Sequence, residues 1–406
     1  MATATGETTA TATGAATAGD AGAPPRASGD PLRVAWFYDM NACRDPTGVT
    51  RHALGQFDAL AKRPDVALTA VSGRIKDPDG RARWERVDGP TRRELPTSAR
   101  NALRAWRTLG GPGIEWWAGR QDWVYAPAEL FIPTRRARLA VTSHDVLQDL
   151  RFGGPRRQAL LERAFGRADL VLSVSHFNTA QLLATYPACA GKVAYVPNAA
   201  DDLFFTPPTD RERDAVRADL GLPPRVPYLL SVASFQARKN LPRLVRAAGR
   251  LEEVARGELA LVLLGAGAEA EAEPIRREIA ALGRKPIVRL PGYRQGRPLL
   301  AAYAEATALA FPSTCESFGI PAVEAMAGGV PVALADSTAL PEVGGEAGWY
   351  FDPDSDDAVT ATLRDLLDRP DERARRVALG RSIAEGYRWP VANDRLVAAL
   401  RGERSG

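Results

Sequence analysis

Cysteine and histidine are scarce in this chain, with three of each in 406 residues. Cys43, Cys189 and Cys315 lie far apart, their number is odd, and no C-x-x-C occurs. That excludes a disulfide framework or a zinc site and points to a reducing, cytoplasmic compartment. His52, His144 and His176 are too few for a His-rich metal centre. Long apolar runs are missing as well, none approaching the roughly 18 residues of a membrane span. Neither sign of charge dominates: 53 basic and 49 acidic residues leave +4, too little to argue for a nucleic acid partner, and none is expected. Residues 1–29 are mostly Ala, Thr and Gly, without the basic start and apolar block of a secretion signal. With so little apolar surface to bury, they are expected to form a disordered tail.

What is present is a globular composition, 45% hydrophobic and 25% charged, at a length that suits two domains. From Leu32 onward, short apolar runs alternate with helical patterns. Leu32 to Tyr38, Val66 to Val71, Trp123 to Ala126, Leu139 to Thr142, Leu170 to Val174 and Val193 to Val196 read as buried parallel strands. Residues 203–226 break the rhythm with Pro207, Pro208, Pro223 and Pro224, and read as a linker holding one short helix. A second series follows: Val226 to Val232, Leu259 to Leu264, Ile287 to Leu290, Ala308 to Phe311, Val330 to Leu334 and Trp349 to Phe351. Helical patterns at 240–255, 270–282, 297–305, 320–328 and 356–368 separate these strands. Two doubly wound α/β domains are thus expected, over 30–205 and 206–386, with a helix at 387–406 packing back toward the first. Ligands of such sheets bind beyond the carboxyl ends of the strands, so the informative residues should lie in the turns that follow them.

Charge is uneven in one place. Between Arg81 and Arg107 stand eight arginines against three acids, with Trp106 among them. A solvated helical face is the plainer reading; a surface meeting anionic lipid or an anionic acceptor is the sharper one.

Four turns carry the chemistry. After Ala308 to Phe311 the chain reads P-S-T-C-E-S-F-G-I-P-A-V-E, with Glu316 in the loop, Phe318-Gly319 opening a helix and Glu324 about one turn inside it. Free N–H groups at such a start hold phosphate, and ionised carboxylates accept strongly from sugar hydroxyls. After Tyr228 to Val232 comes A-S-F-Q-A-R-K-N-L, whose Arg238 and Lys239 would stabilise a departing diphosphate. His144-Asp145 begins the turn after the strand ending V-T-S. The first strand leads into a loop containing Gly48. Each also has a structural reading: acids set for a helix dipole, a surface basic pair, a packed histidine, an ordinary turn glycine. His176 begins a helix capped by Ser175, and a structural role suits it at least as well.

The Glu316–Glu324 stretch resembles the E-x7-E motif of retaining glycosyltransferases of family 4 (glycosyl transferases group 1), and the resemblance runs from about Leu32 to the C-terminus. It implies a GT-B fold, two Rossmann-like domains facing across a cleft. It also implies that Glu316 contacts the transferred sugar and that Glu324 holds the ribose hydroxyls. The amides of Phe318, Gly319 and Ile320 would lie near the sugar and phosphates, and His144 near the reaction centre. Lys239 matches the family lysine, but Ala233 and Ser234 stand where a glycine and often an arginine occur. Gly48 falls in the place of a Gly-rich loop close to the donor phosphates. Asn198, in Val196-Pro197-Asn198, falls where the family has Pro-Asn-Gly-Val-Asp, and the backbone near Leu290 where it binds the base.

The implied reaction moves a sugar from a nucleoside-diphosphate donor to a hydroxyl of a glycan or lipid-linked acceptor, with retained anomeric configuration. The His-Asp turn and the Arg-Lys-Asn form resemble mannosyltransferases of cell-surface polysaccharide assembly, hence a GDP-mannose-like donor. Asp352-Pro353-Asp354 has metal-binding spacing but follows the last strand, away from the other motifs, so no metal or other cofactor is expected. The expected place is the cytoplasm, with 81–107 touching the inner membrane face. Rival readings are a nucleotide-sugar epimerase, a phosphorylase with a pyridoxal lysine, and a non-catalytic donor-binding subunit.

Overall fold

The computed structural model describes residues 30–44 and 47–403; the tail expected at 1–29 lies outside them. Among the described residues thirteen strands form two sheets. The first contains β1 (Leu32–Phe37), β2 (Val66–Ser72), β3 (Thr91–Glu94), β4 (Trp123–Ala126), β5 (Arg138–Ser143), β6 (Leu170–Ser173) and β7 (Val193–Tyr195). The second contains β8 (Tyr228–Val232), β9 (Ala260–Leu264), β10 (Val288–Gly292), β11 (Ala308–Phe311), β12 (Val332–Ala335) and β13 (Gly348–Phe351). Their orders are 3-2-1-4-5-6-7 and 10-9-8-11-12-13. Every strand pairing is parallel, as expected of short strands apolar on both faces. In each sheet the order reverses beside the first strand, at β1/β4 and at β8/β11, which opens a crevice at the carboxyl ends.

Large apolar side chains fill the space between sheet and helices. Trp36, Phe37 and Tyr125 are fully buried in the first unit, where Trp36 stacks on Phe57 at 4.6 Å. Tyr228, Tyr303 and Phe311 play the same part in the second.

Two local readings change and a third stands. The strand β3 is absent from the apolar pattern because its sequence, TRRE, is a charged sheet edge, which guards against edge-to-edge pairing. The helix expected over 240–255 is two helices, Leu241–Gly249 and Glu252–Arg256. The break falls at Gly249, where a Cβ would stand 2.3 Å from Leu282. The linker's single helix is Asp210–Asp219, held at its start by a capping box of Thr209 and Glu212.

The chain returns to the first unit at its end. Helix Trp389–Arg401 places Leu396, Val397 and Leu400 in the core beneath β1 and β4, each adding about 1.5–3 kcal/mol of apolar burial. The Trp123 indole N–H donates to the Leu400 carbonyl at 2.7 Å, and the Asn393 amide to Gln56 at 2.9 Å. The Trp389 indole lies flat on Gly55, where any Cβ would fall inside the ring contact at 2.0 Å.

Candidate active site

The two crevices face each other across a cavity of about 590 Å³. Gly48, His144, Asn198, Arg238, Lys239, Glu316, Phe318, Gly319 and Ile320 all line it. Leu290 and Glu324 do not. At the end of β10 the wall is made by Tyr293 and Arg294, which follow Leu290 after the turn at Gly292. Glu324 lies behind the wall with its side chain fully buried.

The loop after β11 is held from two sides. The Arg238 carbonyl accepts from Thr314 N (2.9 Å) and from the hydroxyls of Ser313 and Thr314 (both 3.2 Å). On the other side the Thr338 hydroxyl accepts from Glu316 N at 3.0 Å. So fixed, one oxygen of Glu316 receives both the Arg238 guanidinium (3.3 Å) and the Lys239 ammonium. Arg238 also donates to the Cys315 carbonyl at 2.7 Å. Burial alone would raise the Glu316 carboxyl, but Lys239 and then Arg238 outweigh it and hold the group below the usual carboxylate range. Glu316 is therefore an anion between two cations at the cavity wall. Burial pushes the neighbouring Cys315 thiol up to about 11, so it is no nucleophile at neutral pH.

Gly319 starts the helix Ile320–Ala327 with φ of +107°, and a Cβ there would meet Leu340 at 2.6 Å. Only glycine fits that turn. The helix start it opens leaves N–H groups free, and Phe318, Gly319 and Ile320 line the cavity beside Glu316. One turn in, Glu324 accepts from the Tyr303 hydroxyl at 3.0 Å and from the Arg51 guanidinium. Burial raises the Tyr303 phenol further above its usual range, so it stays a donor.

On the facing side, His144 N–H donates to Glu129 at 2.6 Å and His144 Nε2 to the Pro127 carbonyl at 2.9 Å, which leaves Nδ1 an acceptor. Asp145 caps the next helix, Val146–Phe152, through Gln148 N. Burial pushes its carboxyl up, with Ser317 and then Arg238 offsetting only part. Behind His144 lies a chain that spacing alone does not reveal. His52 Nδ1 donates to Asn198 Oδ1 at 2.7 Å, and its Nε2 accepts from the Tyr125 hydroxyl at 3.2 Å. Tyr125 and Thr142 are 3.0 Å apart. This leaves the Asn198 NH2 for the cavity that Asn198 lines. His52 is completely buried, and burial together with nearby His144 keeps it neutral.

His176 stands elsewhere. It stacks on Tyr195 at 4.3 Å, and its N–H and that of Phe177 donate to the Glu342 carboxylate, at 2.8 and 2.9 Å. The start of a first-unit helix thus grips a second-unit acid beside the cleft. Arg51 and His52 escape sequence reading because their partners are remote in the chain; Arg51 and Glu324 are 273 residues apart. Their one local signal is the helix start at Gly48, capped by Thr47, which replaces the loop expected there.

Comparison with known proteins agrees in fold and sequence. Residues 46–202 match the model described as Glycosyltransferase Family 4, and residues 212–382 that described as Glycosyl transferases group 1. The O-antigen chain mannosyltransferase B of Escherichia coli is 28% identical over 303 residues, 72% of this chain and 77% of that protein. The D-inositol 3-phosphate glycosyltransferase of Corynebacterium jeikeium is 30% identical over 285 residues, 66% of this chain and 67% of that one. For some other relatives the matched stretch falls to 58% of their length. Among solved structures, Anabaena Alr3699/HepE in complex with UDP and glucose superposes with a TM-score of 0.72 at 17% identity, covering 91% of this chain and 99% of that one.

Proposed function

This chain belongs to the glycosyltransferases of family 4 and group 1, with the GT-B fold, and on that premise we propose that it transfers one sugar from a nucleoside-diphosphate donor to an acceptor hydroxyl with retention. The carrying observation is the Glu316 carboxylate bridged by Arg238 and Lys239 in the interdomain cavity. In the proposed step the bond from the anomeric carbon to the phosphate oxygen breaks. The bond to the acceptor oxygen forms on the same face, and the acceptor proton passes to the departing phosphate. Arg238 and Lys239 stabilise the charge that develops there, the role a metal has in other transferases, so no metal is required. Glu316 holds hydroxyls of the transferred sugar. His144 shapes the sugar end through its free Nδ1, and Gly48 and Asn198 border it from the acceptor side. The amides of Phe318, Gly319 and Ile320 face the phosphates, Glu324 takes the ribose and the backbone near Leu290 the base.

The donor we propose is GDP-mannose-like, since a mannosyltransferase stands among the relatives. The acceptor is a glycan or lipid-linked hydroxyl at the inner membrane face. Of the arginines in 81–107, Arg81 and Arg83 are paired with Glu94 and Asp58, and Arg92 bonds the carbonyls of Trp84 and Val87. Arg86, Arg100 and Arg104 are left exposed for an anionic surface, the last two on helix Ala99–Leu109, whose Leu109 is exposed as well. No helix among the described residues is long and apolar enough to cross a membrane.

The test is incubation with GDP-mannose, UDP-glucose and their relatives, with and without acceptor glycans and a chelator. An α-linked product from an α-linked donor, insensitive to chelation, is expected. Donor converted without acceptor would identify an epimerase instead, and binding without turnover a donor-binding subunit.

A further inference from the structure

We propose that Arg51 is a further catalytic cation, lent by the first domain: it rests on Glu324 while the donor is absent and moves onto the diphosphate when the ribose claims that carboxylate. This rests on the reading of Glu324 as the ribose holder.

Three observations carry it. Glu324 has a side chain of 0% exposure, and its carboxylate is shared between the Tyr303 hydroxyl on one oxygen and the Arg51 guanidinium on the other. Arg51 is 30% exposed and lines the cavity, while Glu324 does not, so Arg51 stands between the carboxylate and the ligand space. A diol reaches Glu324 only if Arg51 gives way. Arg51, on the helix Gly48–Ala61, lines the same cavity as Arg238 and Lys239.

Charge explains why the move is useful. Arg238 and Lys239 share the single carboxylate of Glu316, so the wall carries about one net positive charge. A diphosphate departs with more negative charge than that. Released from Glu324, Arg51 adds a second cation, and its planar fork suits phosphate oxygens. Opening of the ribose site and completion of the phosphate site become one event. A donor lacking either part would gain only half of it.

The experiment uses the full chain with Arg51→Gln and Arg51→Lys, both checked for an unchanged thermal midpoint. Calorimetry measures guanosine and uridine, which lack phosphate, and GDP and UDP, which carry it; turnover is measured with the preferred donor. The expected result for Arg51→Gln is nucleoside binding as tight as wild type or a few-fold tighter, diphosphate binding about tenfold weaker, and turnover down about ten- to a hundredfold. Arg51→Lys should recover part of the diphosphate binding and turnover. Equal weakening of nucleoside and diphosphate would overturn the proposal and leave Arg51 a wall residue. Unchanged diphosphate binding and turnover would overturn it outright. A wild-type chain that binds no nucleoside diphosphate at all would sink the functional reading itself, and a Glu324→Gln variant with unchanged nucleoside binding would remove the ribose assignment.

Discussion

The ring of His52 meets the ring of His144 edge-on, 4.7 Å between centroids, so that a residue with no solvent exposure backs one that faces the cavity. A proton on His52 would be doubly unfavourable, for burial and for the neighbouring imidazole. Its folded pKa lies well below 6.5, so the unfolded chain binds a proton that the folded chain refuses. Stability from this group is complete above about pH 6.5 and declines as the pH falls below that value, by at most about 1.4 kcal/mol per pH unit. Melting temperatures measured between pH 8 and 5 should fall on the acid side. The His52→Gln variant should show a shallower fall; an identical slope would remove His52 as its cause.

The same ring orients Asn198. With His52 Nδ1–H fixed on Asn198 Oδ1 at 2.7 Å, the amide presents its NH2 to the cavity. Glutamine at position 52 can donate in the same way, whereas leucine cannot. We expect His52→Leu to lower turnover about tenfold and His52→Gln to keep most of it. Asn198→Asp, which still accepts from His52 but no longer donates to the cavity, should behave like the leucine variant. Steady-state kinetics on the three variants decide it; equal activities in all would exclude an orienting role.

Lys239→Ala leaves Glu316 paired with Arg238, so the loop after β11 keeps one of its two cations. Losing a charge-assisted hydrogen bond worth about 1.5–3 kcal/mol, if it is made in the transition state, costs roughly ten- to a hundredfold in rate. That loss is expected for Lys239→Ala and for Glu316→Gln, with both chains folded by circular dichroism. Near-normal turnover in either folded variant would reject these two as catalytic. The Glu316 carboxyl is held below the usual range, burial opposing and Lys239 with Arg238 prevailing, so no loss of activity from its protonation is expected above about pH 5.

Much of the fold is legible in the sequence because a parallel strand buried on both faces is an apolar run whatever its neighbours do. Leu259 to Leu264 and Ala308 to Phe311 are such runs, and the turns after them can be located at once. Strand β3 is not legible, since its residues answer to the solvent at a sheet edge rather than to a core. Within the cavity, motifs place Arg238, Lys239, Glu316 and His144 in turns after strands, a local property. Contacts across the cleft are of another kind. Arg51 on Glu324 and His176 beside Glu342 depend on how two sheets face each other, and no spacing along one chain encodes that.

Gly319 offers a test of the helix start. At φ of +107° a side chain is strained, and an added Cβ would also press on Leu340 at 2.6 Å. Gly319→Ala should cost about 1–3 kcal/mol of stability and weaken diphosphate binding. Adding Leu340→Ala relieves the contact but not the backbone. The double variant should therefore regain no diphosphate affinity, and calorimetry reads this directly. Full recovery would mean that the contact, not the backbone, sets the turn.

Glu342 tests whether the two domains act together. Its carboxylate takes the N–H groups of His176 and Phe177 at 2.8 and 2.9 Å, at the positive end of helix His176–Thr185. The acid comes from helix Leu340–Gly344 in the second domain, and neither His176 nor Glu342 lines the cavity. A carboxylate at a helix start contributes about 0.3–1 kcal/mol, up to about 2 when partly buried, and salt screens it. Glu342→Ala should therefore loosen closure without touching a ligand. The expected signature is a several-fold higher KM for donor, a smaller change in the dissociation constant of the bare nucleoside diphosphate, and a larger radius of gyration by solution scattering. High salt should move wild type toward the variant and leave the variant where it is. If KM and radius both match wild type, closure does not depend on this bridge, and other contacts, such as Arg51 on Glu324 and the C-terminal helix on Gly55 and Gln56, hold the units together.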